Sequence, residues 1–182
     1  MQTYIAFIRG INVGRTRSVP MKALAADLEA AGLDGVRTYI QSGNLVFRSG
    51  TADAAELAGC IGGVIEASRG FRPWVLVLAQ QKLQQAVEAN PFPAGEDDPK
   101  SLHLFFLDAK PKDPDLGRLD AARAGRENYR LVGTVFYLYA PDGIARSKLA
   151  GQVDKALGVS VTARNWRTAN RVLEMALDAA DG

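Results

Sequence analysis

The sequence predicts an α+β fold made of two ferredoxin-like (β-α-β-β-α-β) subdomains, each followed by an extra helix. Three observations predict it. Apolar, β-branched strand segments and amphipathic helical segments alternate in the same order twice along the 182 residues. In each half two strand segments follow one another with only a turn between them, which is the split β-α-β order. One proline- and acid-rich stretch, "NPFPAGEDDPKS", separates the halves. The expected organisation is a first subdomain over residues 1–90, a linker over 91–100 and a second subdomain with its closing helix over 101–182.

In the first half, "TYIAFIRG" (Thr3–Gly10) is short, apolar and rich in aromatic and β-branched residues, the pattern of a central strand. Pro20 suits the opening of a helix, along which Met21, Leu24 and Leu28 recur at helical spacing, and Gly32 stands where it should end. "VRTYIQSGNLVFRS" reads as a hairpin with Gly43-Asn44 as a two-residue turn. That turn sets Ile40 opposite Phe47 and puts Val36, Thr38 and Leu45 on the same, core side. Arg37, Tyr39, Gln41, Val46 and Arg48 take the other face. A second helix is expected over 52–68, with Leu57, Cys60, Ile61, Val64 and Ile65 in one apolar stripe. "WVLVLAQ" is a strand, and 81–89 a short helix ended by Asn90-Pro91.

The second half repeats the order. "SLHLFFLD" is a strand, 114–122 a short helix and "YRLVGTVFYLY" a tight hairpin. A helix is expected over 146–157 with Leu149, Val153 and Leu157 inward and Gly158 as its cap. "VSVT" is a short strand, and a closing helix follows over 165–177, with Thr162 as the expected N-cap. Trp166, Ala169, Leu173 and Leu177 fall on one face of that helix, and Arg164, Arg167 and Arg171 on the opposite one.

Composition narrows the function classes. Hydrophobic content of 47% with 23% charge is that of a soluble globular protein, and a net charge of +2 does not mark a nucleic-acid binder. Cys60 is the single cysteine, so no disulfide forms within the chain, which fits a reducing cytoplasm. The longest apolar run, "WVLVLA", is far short of the roughly 20 residues a membrane helix needs. No signal peptide is read at the N-terminus, so a cytoplasmic location without membrane association is expected. CxxC, HExxH, GxSxG and zinc-type Cys/His clusters are absent from the sequence, so no metal and no cofactor is expected. The one histidine, His103, lies inside a strand and reads as structural. No nucleophile with its base can be assembled, which leaves catalytic residues unassigned.

The distribution of charge is more informative. Residues 1–22 carry Arg9, Arg15, Arg17 and Lys22 with no acid. "GINVGRT" fails as a phosphate-binding Walker loop: it has three residues between the glycines rather than four, Arg in place of Lys, and no helix opening directly. Glycine-rich backbone at a strand's end can still aim N–H groups at an anion, and arginines fork onto phosphate or carboxylate. Arg9, Asn12, Arg15 and Arg17 are the candidates there. Two helix starts in the second half are also decorated with cations: Arg146 and Lys148 flank Ser147, a candidate cap, and Arg164, Asn165 and Arg167 open the closing helix. The plainer alternative is solvated or paired cations, Arg164 with Glu127 or Asp142 and Arg171 with Glu174. Gln41, Ser42 and Asn44 form a polar cluster that serves either as turn formers or as ligand-reading groups.

Five stretches, "YIAFIRGINVG", "TYIQSGNLVF", "NPF", "RSKL" and "TARNWRT", resemble in sequence and order the signature stretches of the bacterial family called domain of unknown function 1697. The resemblance spans Tyr4 to about Leu177. It implies two α+β subdomains of ferredoxin-like character and no particular reaction. The chain departs from the family at Arg15, where a second glycine is usual, and at Ala163, where most members carry Thr.

These readings converge on a cytoplasmic protein that binds an anionic ligand: a nucleotide, another phosphate-bearing small molecule or a nucleic-acid backbone. This expectation needs the arginine-bearing loops of the two halves to meet. The alternatives are a structural or partner-binding module that forms a homodimer through the Tyr39/Val46 face, and an enzyme acting on a phosphorylated substrate with the arginines as transition-state electrostatics.

Overall fold

The strand β1 (Gln2–Ile8) is buried from Thr3 to Ile8, as a strand covered on both faces must be, and so reads as an almost unbroken apolar run. The computed structural model, which describes residues 1–14 and 17–180, pairs it antiparallel with β3 (Asn44–Ser49) and with β4 (Val75–Ala79). β2 (Asp34–Tyr39) pairs with β3, giving the order β2-β3-β1-β4. β1 and β2 therefore run parallel with β3 between them. Helices α1 (Met21–Ala30) and α2 (Ala54–Arg69) supply Met21, Leu24, Leu28, Leu57, Ile61 and Ile65 to a core with Tyr4, Ala6, Ile8, Leu45 and Phe47. Asp53 caps α2 by accepting from the N–H groups of Ala55 and Glu56. Cys60 and Val64, expected in the buried stripe, are only half-buried on its flank. Helix α3 (Gln80–Glu88) follows β4 as the extra helix.

The second half repeats this topology. After a one-turn helix α4 (Ala94–Asp97), the strands β5 (Leu102–Leu107), β6 (Asn128–Val132), β7 (Val135–Tyr139) and β8 (Val161–Asn165) form an antiparallel sheet in the order β6-β7-β5-β8. Helices α5 (Leu116–Ala122) and α6 (Val153–Leu157) contribute Leu119, Val153, Ala156 and Leu157 to a core with Phe105, Leu107, Phe136 and Leu138. Helix α7 (Trp166–Ala180) closes the chain. The fold is thus two ferredoxin-like subdomains with an extra helix after each.

The structure departs from the expected details in five places, each for a local reason. First, the chain divides into two compact units, Met1–Gln85 with the residues from Arg171 onward, and Ala86–Asn170. The stretch expected as a linker is packed within the second unit: Phe92 stacks on Tyr139, and Gly95 lies so close to Leu102 that a Cβ there would come within 2.8 Å of it. Second, the end of α7 belongs with the first unit, where Ala180 lines a small cavity with Met1, Thr3 and Arg48. Third, the helix expected over 146–157 is broken into 3-10 turns at Ile144–Arg146 and Ala150–Gln152 before α6 begins, although Leu149, Val153 and Leu157 are buried as expected. Fourth, β8 runs on to Asn165, so Thr162 is a strand residue; the cap of α7 is Asn165, whose Oδ1 accepts from Thr168 N–H at 2.8 Å. Leu177 on α7 is 42% exposed; Val172 and Ala176 take the buried face with Ala169 and Leu173.

The fifth departure concerns the first hairpin. Tyr39 pairs with Asn44 and Thr38 with Leu45, so the connection is the four-residue loop 40–43 rather than a Gly43-Asn44 turn. The face assignment survives, because the shift is an even number of residues. Ile40 leaves the sheet altogether and is 51% exposed. The fully buried Asn44 side chain closes the loop by donating to Tyr39 O and Ser42 Oγ, both at 3.0 Å. Gly43, at φ +75°, abuts β1: its carbonyl accepts from Ile8 N–H at 2.8 Å, and a Cβ would lie 2.9 Å from both Ile8 Cβ and Ile8 O. Gly43→Ala is therefore expected to destabilise the chain by about 2–4 kcal/mol, since the clash is with backbone and the φ is unfavourable. The urea-unfolding midpoint checks this; a midpoint equal to the parent's would contradict the packing described.

Candidate functional site

The candidate site of the first unit is built where β1 runs out. Its residues reach α1 through the connection 9–20, which contains no acid. Asn12 organises this connection. Its Nδ2 donates to Val19 O at 2.8 Å and to Gln41 O at 2.7 Å, and its Oδ1 accepts from Val19 N–H at 2.8 Å. Its own N–H donates to Arg17 O at 3.1 Å, and Arg9 N–H donates to Trp74 O at 2.9 Å. Asn12 thus ties Val19, just before α1, to the hairpin loop 40–43. Arg17 is exposed, with its guanidinium carbon 5.9 Å from the centroid of the Phe71 ring, a cation–π distance.

Backbone strain gathers in these two loops. The non-glycine residues with positive φ among the described residues are Asn12 (55°), Arg17 (55°) and Ile40 (47°). Asn tolerates that region, whereas Arg and above all β-branched Ile do not, and each such residue costs about 1–3 kcal/mol. The second unit provides an internal comparison. Its equivalent connections are the two-residue turn 133–134 and the segment 108–115, "DAKPKDPD", which is acidic and ends on Asp115 capping α5. Neither holds a non-glycine residue at positive φ. The topology itself therefore does not require the strain of the first unit.

Of the residues expected to contact a ligand, Arg9, Asn12 and Arg17 share this one connection, with Asn12 committed to bracing it. Arg15 lies outside the described residues. In the second unit, Arg146 ends a 3-10 turn and Lys148 lines an open groove of about 480 Å³ with Asp115, Arg118, Ala121, Ala122 and Gln152. Ser147 follows the first 3-10 turn and accepts from Ala150 N–H at 3.0 Å; it does not cap a helix over 146–157, because that helix is broken. Arg164 is not in a helical first turn: it is a β8 residue, 9% exposed, donating to Thr162 Oγ1 at 3.0 Å and Ala163 O at 2.7 Å. Burial pulls its pKa down to about 10, so it stays protonated at neutral pH. Asn165 is spent as the α7 cap, and Arg167 is exposed on that helix.

Ion pairs engage Arg48 with Asp34, Arg72 with Glu66, Arg118 with Asp115, Arg126 with Asp142 and Arg171 with Glu174. None of these arginines is a candidate. Arg17, Arg146, Lys148 and Arg167 make no salt bridge among the described residues. Gln41, Ser42 and Asn44 act as turn formers at least in part, through Asn44 and the Gln41 carbonyl. The Tyr39/Val46 face is not open for dimerisation at Val46, which is 1% exposed. The residues that sequence reasoning missed are Ile40, assigned there to the core, and Phe71 and Val13. Nothing in the sequence signals φ at Ile40 or the ring beneath Arg17.

His103 lies on β5 between Leu138 of β7 and Asn165 of β8, is 8% exposed, and has a buried Nδ1 without a hydrogen-bond partner among the described residues. Burial lowers its pKa from 6.5 to about 4. A neutral, enclosed imidazole is a core residue, not a base open to substrate. Among the described residues no group of three or more His, Cys, Asp or Glu is placed to hold a metal ion, and no helix is long and apolar enough to cross a membrane.

This geometry defines a class: a duplicated ferredoxin-like α+β protein in which, among the described residues, Asn12 braces an acid-free pair of loops in the first unit. The family is settled by comparison. A family model described as "Protein of unknown function (DUF1697)" matches residues 1–137, and the chain belongs to that family. The fold is similar to that of a conserved bacterial protein, SP0830, from Streptococcus pneumoniae, at 21% identity and a TM-score of 0.70, covering 96% of this chain and 98% of the other. No curated protein matches the chain.

The His103 environment makes a pH prediction. The folded pKa lies below the unfolded one, so between about pH 4 and 6.5 the unfolded chain binds the extra proton. Stability is complete above that window and falls as the pH drops through it, by roughly 3 kcal/mol from this group. Urea midpoints at pH 7 and pH 4.5 measure the loss, and His103→Leu should reduce it. A variant that loses as much as the parent would assign acid lability to other groups.

Proposed function

We propose that the chain binds a small phosphate-bearing ligand in its first unit, on residues 9–14 and 17–20 of the β1–α1 connection and on the hairpin loop 40–43. One observation carries this reading: the non-glycine residues with positive φ among the described residues all fall in these two loops, which one asparagine braces. Strain of this kind persists where function selects it, and the second unit makes the same connections without it. The chemistry on offer is cationic. Arg9 and Arg17 stand in a stretch without carboxylates, in glycine-containing backbone at the end of a strand. Fixing Arg17 over Phe71 reduces the entropy lost when its guanidinium grips an oxyanion. The ligand is held rather than transformed, because these loops offer no general acid or base.

A thermal-shift titration with inorganic phosphate, sugar phosphates and nucleotides tests the reading. A ligand at 100 times its Kd stabilises by about 2.7 kcal/mol. Arg17→Ala should weaken binding by tenfold or more while unfolding at the parent's temperature in the absence of ligand, since Arg17 is exposed. Binding that Arg17→Ala leaves intact would move the site elsewhere. Weak dependence on salt separates a small ligand from nucleic acid, whose affinity falls steeply with added salt.

A further inference from the structure

Ile40 presents a contradiction within the fold. A β-branched residue at φ +47° is a poor occupant of a position that Gly, Asn or Asp would fill more readily. Interior packing does not compensate, because the side chain is 51% exposed. A residue that is locally unfavourable and not used by the core has its role outside the chain. Val13, in the neighbouring loop, is 72% exposed. The two residues adjoin the two ends of one hydrogen bond, Asn12 Nδ2 to Gln41 O at 2.7 Å. Two aliphatic side chains therefore stand out from the same braced loops that present Arg9 and Arg17.

We infer that Ile40 and Val13 are ligand-contacting residues, and that the ligand of the proposed site is a nucleoside phosphate whose base lies against them. The inference rests on the anion-binding reading and extends it from the phosphate to the rest of the molecule. A nucleobase has apolar faces and a polar edge. Ile40 and Val13 match the faces, and the exposed side chain of Gln41 beside Ile40 offers a donor and an acceptor to the edge. Arg17 and Arg9 take the phosphate. An alkyl phosphate fits less well, since its chain needs a continuous apolar channel, whereas the exposed aliphatic side chains of these loops, Val13 and Ile40, have the polar residues Asn12, Gln41 and Ser42 as sequence neighbours.

Isothermal titration of the full chain with a nucleoside monophosphate, ribose 5-phosphate and hexyl phosphate tests this. The nucleoside monophosphate is expected to bind at least tenfold tighter than ribose 5-phosphate. Ile40→Asn should reduce that ratio below threefold while raising Tm by about 2–4 °C, because asparagine relieves the backbone. Equal binding of nucleoside and ribose phosphates overturns the base contact yet leaves the anion site standing, and binding of neither overturns both. Hexyl phosphate matching the nucleotide overturns the assignment of a planar ring. A lower Tm for Ile40→Asn overturns the strain on which the inference is built.

Discussion

The side chain of Asn12 is the interaction on which the specialised end of the first unit depends. A carboxamide has two N–H groups and one carbonyl, and here each is used: two donors to Val19 O and Gln41 O, one acceptor for Val19 N–H. No other side chain of that size offers this pattern. Aspartate would set a carboxylate against two carbonyl oxygens, and alanine would leave backbone groups of two loops without partners. Asparagine is also among the few residues that tolerate φ +55°, so the one residue satisfies both the conformation and the bonding of its position. One bond of the brace reaches the hairpin loop beside Ile40, and the Asn12 backbone N–H reaches Arg17 O, so both left-handed residues are tied to Asn12.

How much of this was legible in the sequence depends on the range of the interaction that decides it. Element order, strand faces and the Gly158 cap follow from side chains within a few residues of each other, and these were readable. The hairpin was misread because "SGN" carries the local signature of a tight turn. What fixes its register is Gly43 lying against Ile8, thirty-five residues away, a contact no local pattern encodes. The 146–157 segment has the apolar spacing of one helix, but nothing in that spacing announces the 3-10 turns that break it. Arg164 reads as helical from the sequence because β8 runs three residues beyond the apolar "VSVT" stretch, to Asn165.

The candidate site divides along the same line. The arginines and the acid-free stretch are compositional, so the sequence displays them directly. Their distinguishing property, the strain, is a dihedral angle, and it falls on residues that look ordinary. Ile40 read as a core strand residue because its parity agrees with Thr38 and Val36; only the loop geometry takes it out of the sheet.

The duplication sharpens this point. Two units share one strand order, yet differ at the connection after the first strand. In the second unit that connection carries three aspartates and two prolines, ends on a capping carboxylate, and needs no non-glycine residue at positive φ. It is the solution that stability alone favours: a cap worth about 1 kcal/mol and prolines that restrict the unfolded chain. In the first unit Pro20 precedes α1 without any side-chain cap, the carboxylates are gone, and two unfavourable backbone conformations are maintained. Each difference moves the loop away from the arrangement that stability alone favours and leaves a stretch with cations and no carboxylate. When two copies of one topology face the same chain-connection problem and only one adopts the strained answer, that strain is a property of what the loop does, since the connection can be made without it.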